Sequence, residues 1–257
     1  MKRSKKAPAQ DDRRQTSFRW LPGLWGLALV VLVACVYAPT LGNGFIWDDD
    51  AYVEHNPTLL SLAGLRDIWL KPGAVPQYYP LVHTTFWMEH HLWGLDPFGY
   101  HLVNLLLHAV AVLLVWRLLV RLAVPGAWLA AAIFAVHPVG VESVAWITER
   151  KNVLSAALAL GALLAYLSFS PPNTAGPPCV STTQRGRWGF YFLALTLFVG
   201  ALLSKTVGQR AGRVAGHLLV APRPVRVARG GLAHTIFLPG PDGREHYGVD
   251  GADACRG

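Results

Sequence analysis

The sequence predicts an all-α protein, a polytopic bundle of about five transmembrane helices, on three observations. Only 15% of its 257 residues are charged and 53% are apolar, with a mean hydropathy of +0.33, whereas an ordinary soluble domain carries about 25% charged residues. Five apolar runs approach the roughly 20 residues needed to cross about 30 Å of hydrocarbon. Charge is concentrated at the ends of the chain and in the gaps between those runs. A soluble globule and a disordered polyelectrolyte are both excluded. The net charge of +8 and pI of about 9.7 gather on no single face, which argues against a nucleic-acid partner. Cys35, Cys179 and Cys255 show neither paired nor metal-ligand spacing, so no disulfide framework and no metal site follows.

The elements follow in order. Residues 1–19 form a basic cytoplasmic segment; through Trp20 there are seven Lys/Arg against two Asp. The run Leu21–Leu41 lacks a small-x-small cleavage site and reads as an uncleaved first span. Further runs cover 102–119, 127–141, 153–169 and 188–203. His137 and Pro138 interrupt the third, for which a re-entrant helix is the alternative. Arg117 and Arg121, then Arg185 and Arg187, follow the second and fourth runs with no acid beside them. The positive-inside rule puts those gaps and the amino terminus in the cytoplasm. Loop 42–100 carries seven acids against Arg66 and Lys71 and falls outside, as does the 137–152 connection. The expectation is a multi-pass protein of the bacterial inner-membrane type.

Within the outer loop, Leu59–Leu70 and Thr85–Leu95 place apolar residues at near-helical spacing, as helices lying in the interface do. Tyr78, Tyr79, Trp87, Trp93 and Tyr100 would then sit at headgroup level; an ordinary outer loop with core aromatics is the plainer alternative. The transmembrane unit ends near residue 207. Residues 208–257 contain ten Gly, seven Arg and four Pro but no Lys and no Trp, and read as a low-order, disordered tail. Such an abrupt change is what translation in a shifted frame of a GC-rich gene gives; a flexible soluble tail is the other reading.

Two constellations carry chemistry. Asp48, Asp49 and Asp50 adjoin one another just after the first span, where mutual repulsion suits a general base or a cation site; topology alone also accounts for acids there. In the second, His137, Glu142, Glu149, Arg150 and Lys151 meet at a membrane boundary, where ionisable groups are costly unless they line a polar site. Arg150 offers a phosphate a bidentate fork and Lys151 a point charge, and Lys205 after the fifth span is a third cation on that side. Anchoring of helix ends at the headgroups is the simpler reading of these cations.

The order Phe45-Ile46-Trp47-Asp48-Asp49, Asn56-Pro57, Tyr79-Pro80-Leu81, Tyr100-His101-Leu102-Val103-Asn104 and His108, continued by His137-Pro138, Glu142-Ser143-Val144-Ala145-Trp146, Glu149-Arg150-Lys151, Leu154-Ser155-Ala156 and Leu203-Ser204-Lys205, resembles the GT-C membrane glycosyltransferases. It is most similar to the O-mannosyltransferase-like proteins that carry tetratricopeptide repeats after their membrane domain, over about residues 20–207. The resemblance implies transfer of a mannose-like sugar from a polyprenyl-phosphate donor to a protein Ser or Thr hydroxyl on the outer face. It maps the catalytic carboxylate to Asp48 or Asp49, with Asp50 extra. Arg150 and Lys205 become candidates for the lipid phosphate, and Glu142 for a contact to the acceptor. The substrate-binding set is thus Asp50, His137, Glu142, Glu149, Arg150, Lys151 and Lys205. No cofactor is required, although Asp48 and Asp49 would tolerate a hard divalent cation. Tyr79 stands where relatives often show Arg. The competing expectations are a non-catalytic transporter-like or scaffold fragment, and a truncated, inactive member of the same group; a transporter's matched pair of broken spans is absent.

Overall fold

A computed structural model describes residues 21–169 and 188–205. The described residues form helices and turns only: α1 (Leu21–Tyr37), α2 (Leu62–Leu70), α3 (Pro80–Trp93), α4 (Pro97–Arg121), α5 (Ala127–Val136), α6 (Val141–Ala145), α7 (Arg150–Phe169) and α8 (Trp188–Ser204). The basic segment 1–19 and the tail 208–257 lie outside the described residues.

Three helices are long and apolar enough to cross a bilayer: Gly23–Gly42, which is most of α1 and its 3₁₀ extension, then α4 and α7. At about 1.5 Å per residue, the 25 residues of α4 reach about 37 Å and the 20 of α7 about 30 Å. The third predicted run is broken where the sequence suggests: α5 ends at Val136, and the segment Pro138–Ala145 leaves at 51° to it. Pro138 cannot donate the amide that would continue α5, and it opens a 3₁₀ turn instead. The last apolar helix, α8, has 17 residues, about 25 Å.

Contacts at the helix ends fix the direction of each pass. At one end Trp128 Nε1 donates to the Trp25 carbonyl at 3.0 Å, Arg121 donates to Ser168 Oγ and the Leu167 carbonyl at 2.9 and 2.8 Å, and the rings of Phe169 and Trp188 lie 5.4 Å apart. At the other end Asn104 Nδ2 donates to the Trp146 carbonyl at 3.0 Å, and Lys205 Nζ donates to Asn152. The passes α1, α4, α5–α6, α7 and α8 therefore alternate, and α4 and α7 run parallel. Loop 42–100 closes over the second end.

Side chains pack in two main clusters. Leu29, Val33, Leu105, Val112, Ala131 and Ala135 join α1, α4 and α5. Tyr52, Leu59, Ile68, Phe86, Tyr100 and Ile147 join the loop to the bundle end. Outside these, large apolar side chains such as Leu24, Leu106, Ile133 and Phe192 face outward, the exposure expected where lipid is the solvent. Helix α2 buries Ile68 and exposes Leu62 and Leu70, as an interfacial helix would. Tyr100, expected at headgroup level, is instead fully buried, with its hydroxyl donating to the Gly94 carbonyl at 2.8 Å.

Candidate functional site

The three adjacent aspartates point to three different places. A tight turn brings the Asp49 amide to the Ile46 carbonyl at 3.0 Å, and the Ile46 amide returns to Asp49 Oδ2 at 3.0 Å. Trp47 takes a left-handed backbone inside this turn (φ 48°), a conformation that costs a non-glycine residue about 1–2 kcal/mol. The result drives Asp49 inward, fully buried, where Oδ1 accepts the Thr148 amide at 2.9 Å and the Thr148 hydroxyl. Asp48 is left exposed. Asp50, also exposed, pairs with His55, and that pairing raises the His55 pKa.

Both carboxylate oxygens of Asp49 accept N–H or O–H donors from Ile46 and Thr148, three of the roughly four acceptor positions a carboxylate offers. Among the described residues no three His, Cys, Asp or Glu side chains converge to hold a metal ion.

Arg150 departs most from its expected position. Its side chain is completely buried rather than turned to the membrane boundary. Nε donates to Asn104 Oδ1 at 2.8 Å, one terminal nitrogen to the Tyr100 carbonyl at 2.8 Å, and the other to Thr85 Oγ1 at 3.2 Å and to Glu89. The guanidinium also lies 4.5 Å from the centre of the Phe86 ring. With these donors committed, Arg150 ties α3, α4 and α7 together and has no open face for a lipid phosphate. Its partner Glu89 is pushed up to about 7 by burial, against the opposing pull of Arg150.

The remaining cations, Lys151 and Lys205, belong to a second group of polar side chains. Lys151 Nζ lies 2.7 Å from Glu149 Oε1 and 5.8 Å from the centre of the Tyr52 ring. Glu149 Oε2 accepts Asn152 Nδ2 at 2.5 Å, the same amide donates to Ser143 Oγ at 2.9 Å, and Asn152 Oδ1 accepts Lys205. A continuous polar chain thus runs from Tyr52 through Lys151, Glu149 and Asn152 to Lys205. Lys205 is its only member whose charge meets a neutral partner among the described residues. Tyr52 is pushed up to about 12, chiefly by burial and then by the nearby charges of Asp48, Tyr79 and Glu149, which ties Asp48 electrostatically to this chain. His83 stacks on Tyr52 with ring centres 5.1 Å apart, and burial holds its pKa down to about 4.

Below the polar chain a cavity of about 270 Å³ opens between α4, α5, α6 and α7, lined mostly by apolar side chains including Phe134, Val139, Val144 and Val153, with Ser143 and Asn152 at its polar edge. His137 lines this cavity and accepts the Val139 amide at 3.3 Å. Glu142 is exposed, and among the described residues its side chain makes no hydrogen bond or ion pair. Thr148, Asn152, Glu89 and Asn104 were not singled out as site residues by sequence. Asn104 alone had a signal, since it stands four residues after Tyr100 and so shares its helix face.

Comparison with known proteins gives a consistent set of relatives. The chain is 34% identical over 212 residues to the protein O-mannosyl-transferase Tmtc1 of Drosophila melanogaster, covering 78% of this chain and 23% of that protein. It is 33% identical over 197 residues to human TMTC1, covering 70% and 22%, and 31% identical over 209 residues to human TMTC4, covering 71% and 27%. The chain thus spans about a quarter of the length of these curated relatives. No protein-family profile matches it, and no solved structure does.

Proposed function

We propose, from a chain that is a relative of the protein O-mannosyl-transferases, that the bundle end bearing loop 42–100 transfers a mannose-like sugar from a polyprenyl-phosphate to a protein Ser or Thr hydroxyl, on the outer side of the membrane. The observation that carries this reading is the division of labour between adjacent aspartates. Asp49 is clamped on Thr148 and sets the turn, and Asp48 is held exposed, its charge felt by Tyr52 at one end of the polar chain that includes Lys151 and Lys205.

Asp48 takes the acceptor's proton as its oxygen bonds to the anomeric carbon, and the bond from that carbon to the phosphate oxygen breaks with its electron pair on the departing phosphate. Lys205, whose partner is neutral, and Lys151 stabilise the charge that gathers there. Such cations act far more strongly in a partly dehydrated site than in water. The first isoprenoid units of the donor lie in the cavity lined by Phe134, Val139 and Val153. Arg150 supports the site without touching the substrate.

In liposomes holding a polyprenyl-phosphate hexose and an acceptor peptide, Asp48→Asn should lower transfer by about 10²-fold or more while leaving membrane insertion and thermal stability unchanged. Lys205→Gln should weaken donor binding. Donor binding by the wild-type chain with no transfer would support a non-catalytic fragment instead.

A further inference from the structure

The end of the bundle remote from Asp48 has a groove of its own. It lies between α4, α7 and α8, encloses about 500 Å³, and is walled by aliphatic side chains such as Leu114, Val120, Leu164 and Leu193, with Arg117 and Arg121 lining it. No acidic side chain is among its described lining residues. We propose that this groove binds the phosphate of an anionic membrane lipid, with the acyl chains lying along its aliphatic walls.

Three features support this occupant. Arg117 and Arg121 are four residues apart on α4 and so share one face, where like charges repel unless an anion lies between them. Among the described residues Arg117 makes no hydrogen bond or ion pair. Arg121 is steered by its bonds to Ser168 Oγ and the Leu167 carbonyl, which hold its guanidinium across the groove against the end of α7. Those two bonds use two of the five N–H donors of the guanidinium, and the planar fork suits a phosphate. A soluble anion would have no use for the aliphatic walls, whereas a lipid satisfies both the charge and the walls. Basic pockets between transmembrane helices are the ordinary form of such sites. Snorkelling alone would carry Arg121 away to water, with no tether back to a neighbouring helix.

The inference is independent of sugar transfer, because none of the groove's residues touches the Asp48 end. The test is native mass spectrometry of the delipidated protein in neutral detergent, titrated with phosphatidylglycerol, phosphatidylcholine or inorganic phosphate. One phosphatidylglycerol should be retained and phosphatidylcholine lost. Arg117→Gln should weaken that retention about tenfold, Arg117→Lys should restore much of it, and ionic strength near 1 M should reduce it in the wild type. Because Arg117 is exposed and has no partner among the described residues, the Gln variant should melt at the wild-type temperature. Equal retention of both lipids, or unchanged retention by Arg117→Gln, would overturn the proposal. So would inorganic phosphate raising the melting temperature as much as phosphatidylglycerol does, which would make the groove a simple anion site.

Discussion

Asp48 and Asp49 are chemically alike, and nothing in their order says which turns inward. The choice is made by the Ile46–Asp49 turn and by Thr148, about a hundred residues away in the chain, so sequence could place a carboxylate pair at this site but not divide their roles. Arg150 shows the same limit, since a cation at a helix start fits a phosphate equally well until Glu89 and Asn104 fold around it. His83 gives a residue-scale prediction. Its folded pKa, about 4, lies below the ordinary 6.5, so between those values the unfolded chain binds a proton that the folded chain refuses. The stability that neutral His83 contributes is therefore complete above pH 6.5 and is lost as pH falls towards 4, by at most about 3 kcal/mol. Melting temperatures at pH 7 and pH 5 should separate more for the wild type than for His83→Phe. Equal separations would mean that His83 does not titrate in this way.

At the scale of elements the sequence was largely legible, because membrane helices announce themselves by length and hydropathy. The run expected at 102–119 became α4, and its earlier start was also written there. Asp96 caps it, accepting the Phe98 amide at 3.0 Å, and Pro97 occupies the first turn. The break at His137-Pro138 was readable for the same reason. The short turns of loop 42–100 were not, because they depend on close backbone approaches that no hydropathy pattern records. Where α2 meets the Pro57–Leu59 turn, a Cβ on Gly64 would come within 2.2 Å of the Thr58 carbonyl oxygen. That turn is itself fixed by Asn56, which accepts the Thr58 amide at 3.0 Å and donates to the Tyr52 carbonyl at 3.0 Å. Gly64→Ala should therefore push α2 off the loop and cost about 1–3 kcal/mol. Gly44→Ala, where an added Cβ meets nothing within 4 Å, should change stability by no more than about 0.5 kcal/mol. Thermal unfolding of the two variants in detergent checks the contrast, and equal losses would show that the α2 contact is not tight.

Across the whole molecule, the polar end is organised around one buried ion pair. Arg150 reaches Glu89 on α3, Tyr100 and Asn104 on α4, and belongs to α7, so a single guanidinium sets how loop 42–100 sits on the bundle. Asn104 extends this to the Trp146 carbonyl and thus to the segment carrying Thr148, the partner of Asp49. Removing one member of a buried pair leaves the other charged and unpaired, which typically costs about 3–5 kcal/mol. Glu89→Met should therefore destabilise the protein strongly, and Arg150→Met should do so at least as much, since it also orphans the Tyr100 carbonyl and Asn104 Oδ1. In the double variant neither member of this pair is left without the other, so Glu89→Met with Arg150→Met should be more stable than Arg150→Met alone. Both variants lack the bonds to Tyr100 and Asn104, so if the double variant instead melts at or below the temperature of Arg150→Met, the stranded Glu89 carboxyl costs little by itself because burial lets it take up a proton, and the guanidinium holds the site end together by its hydrogen bonds rather than by its charge.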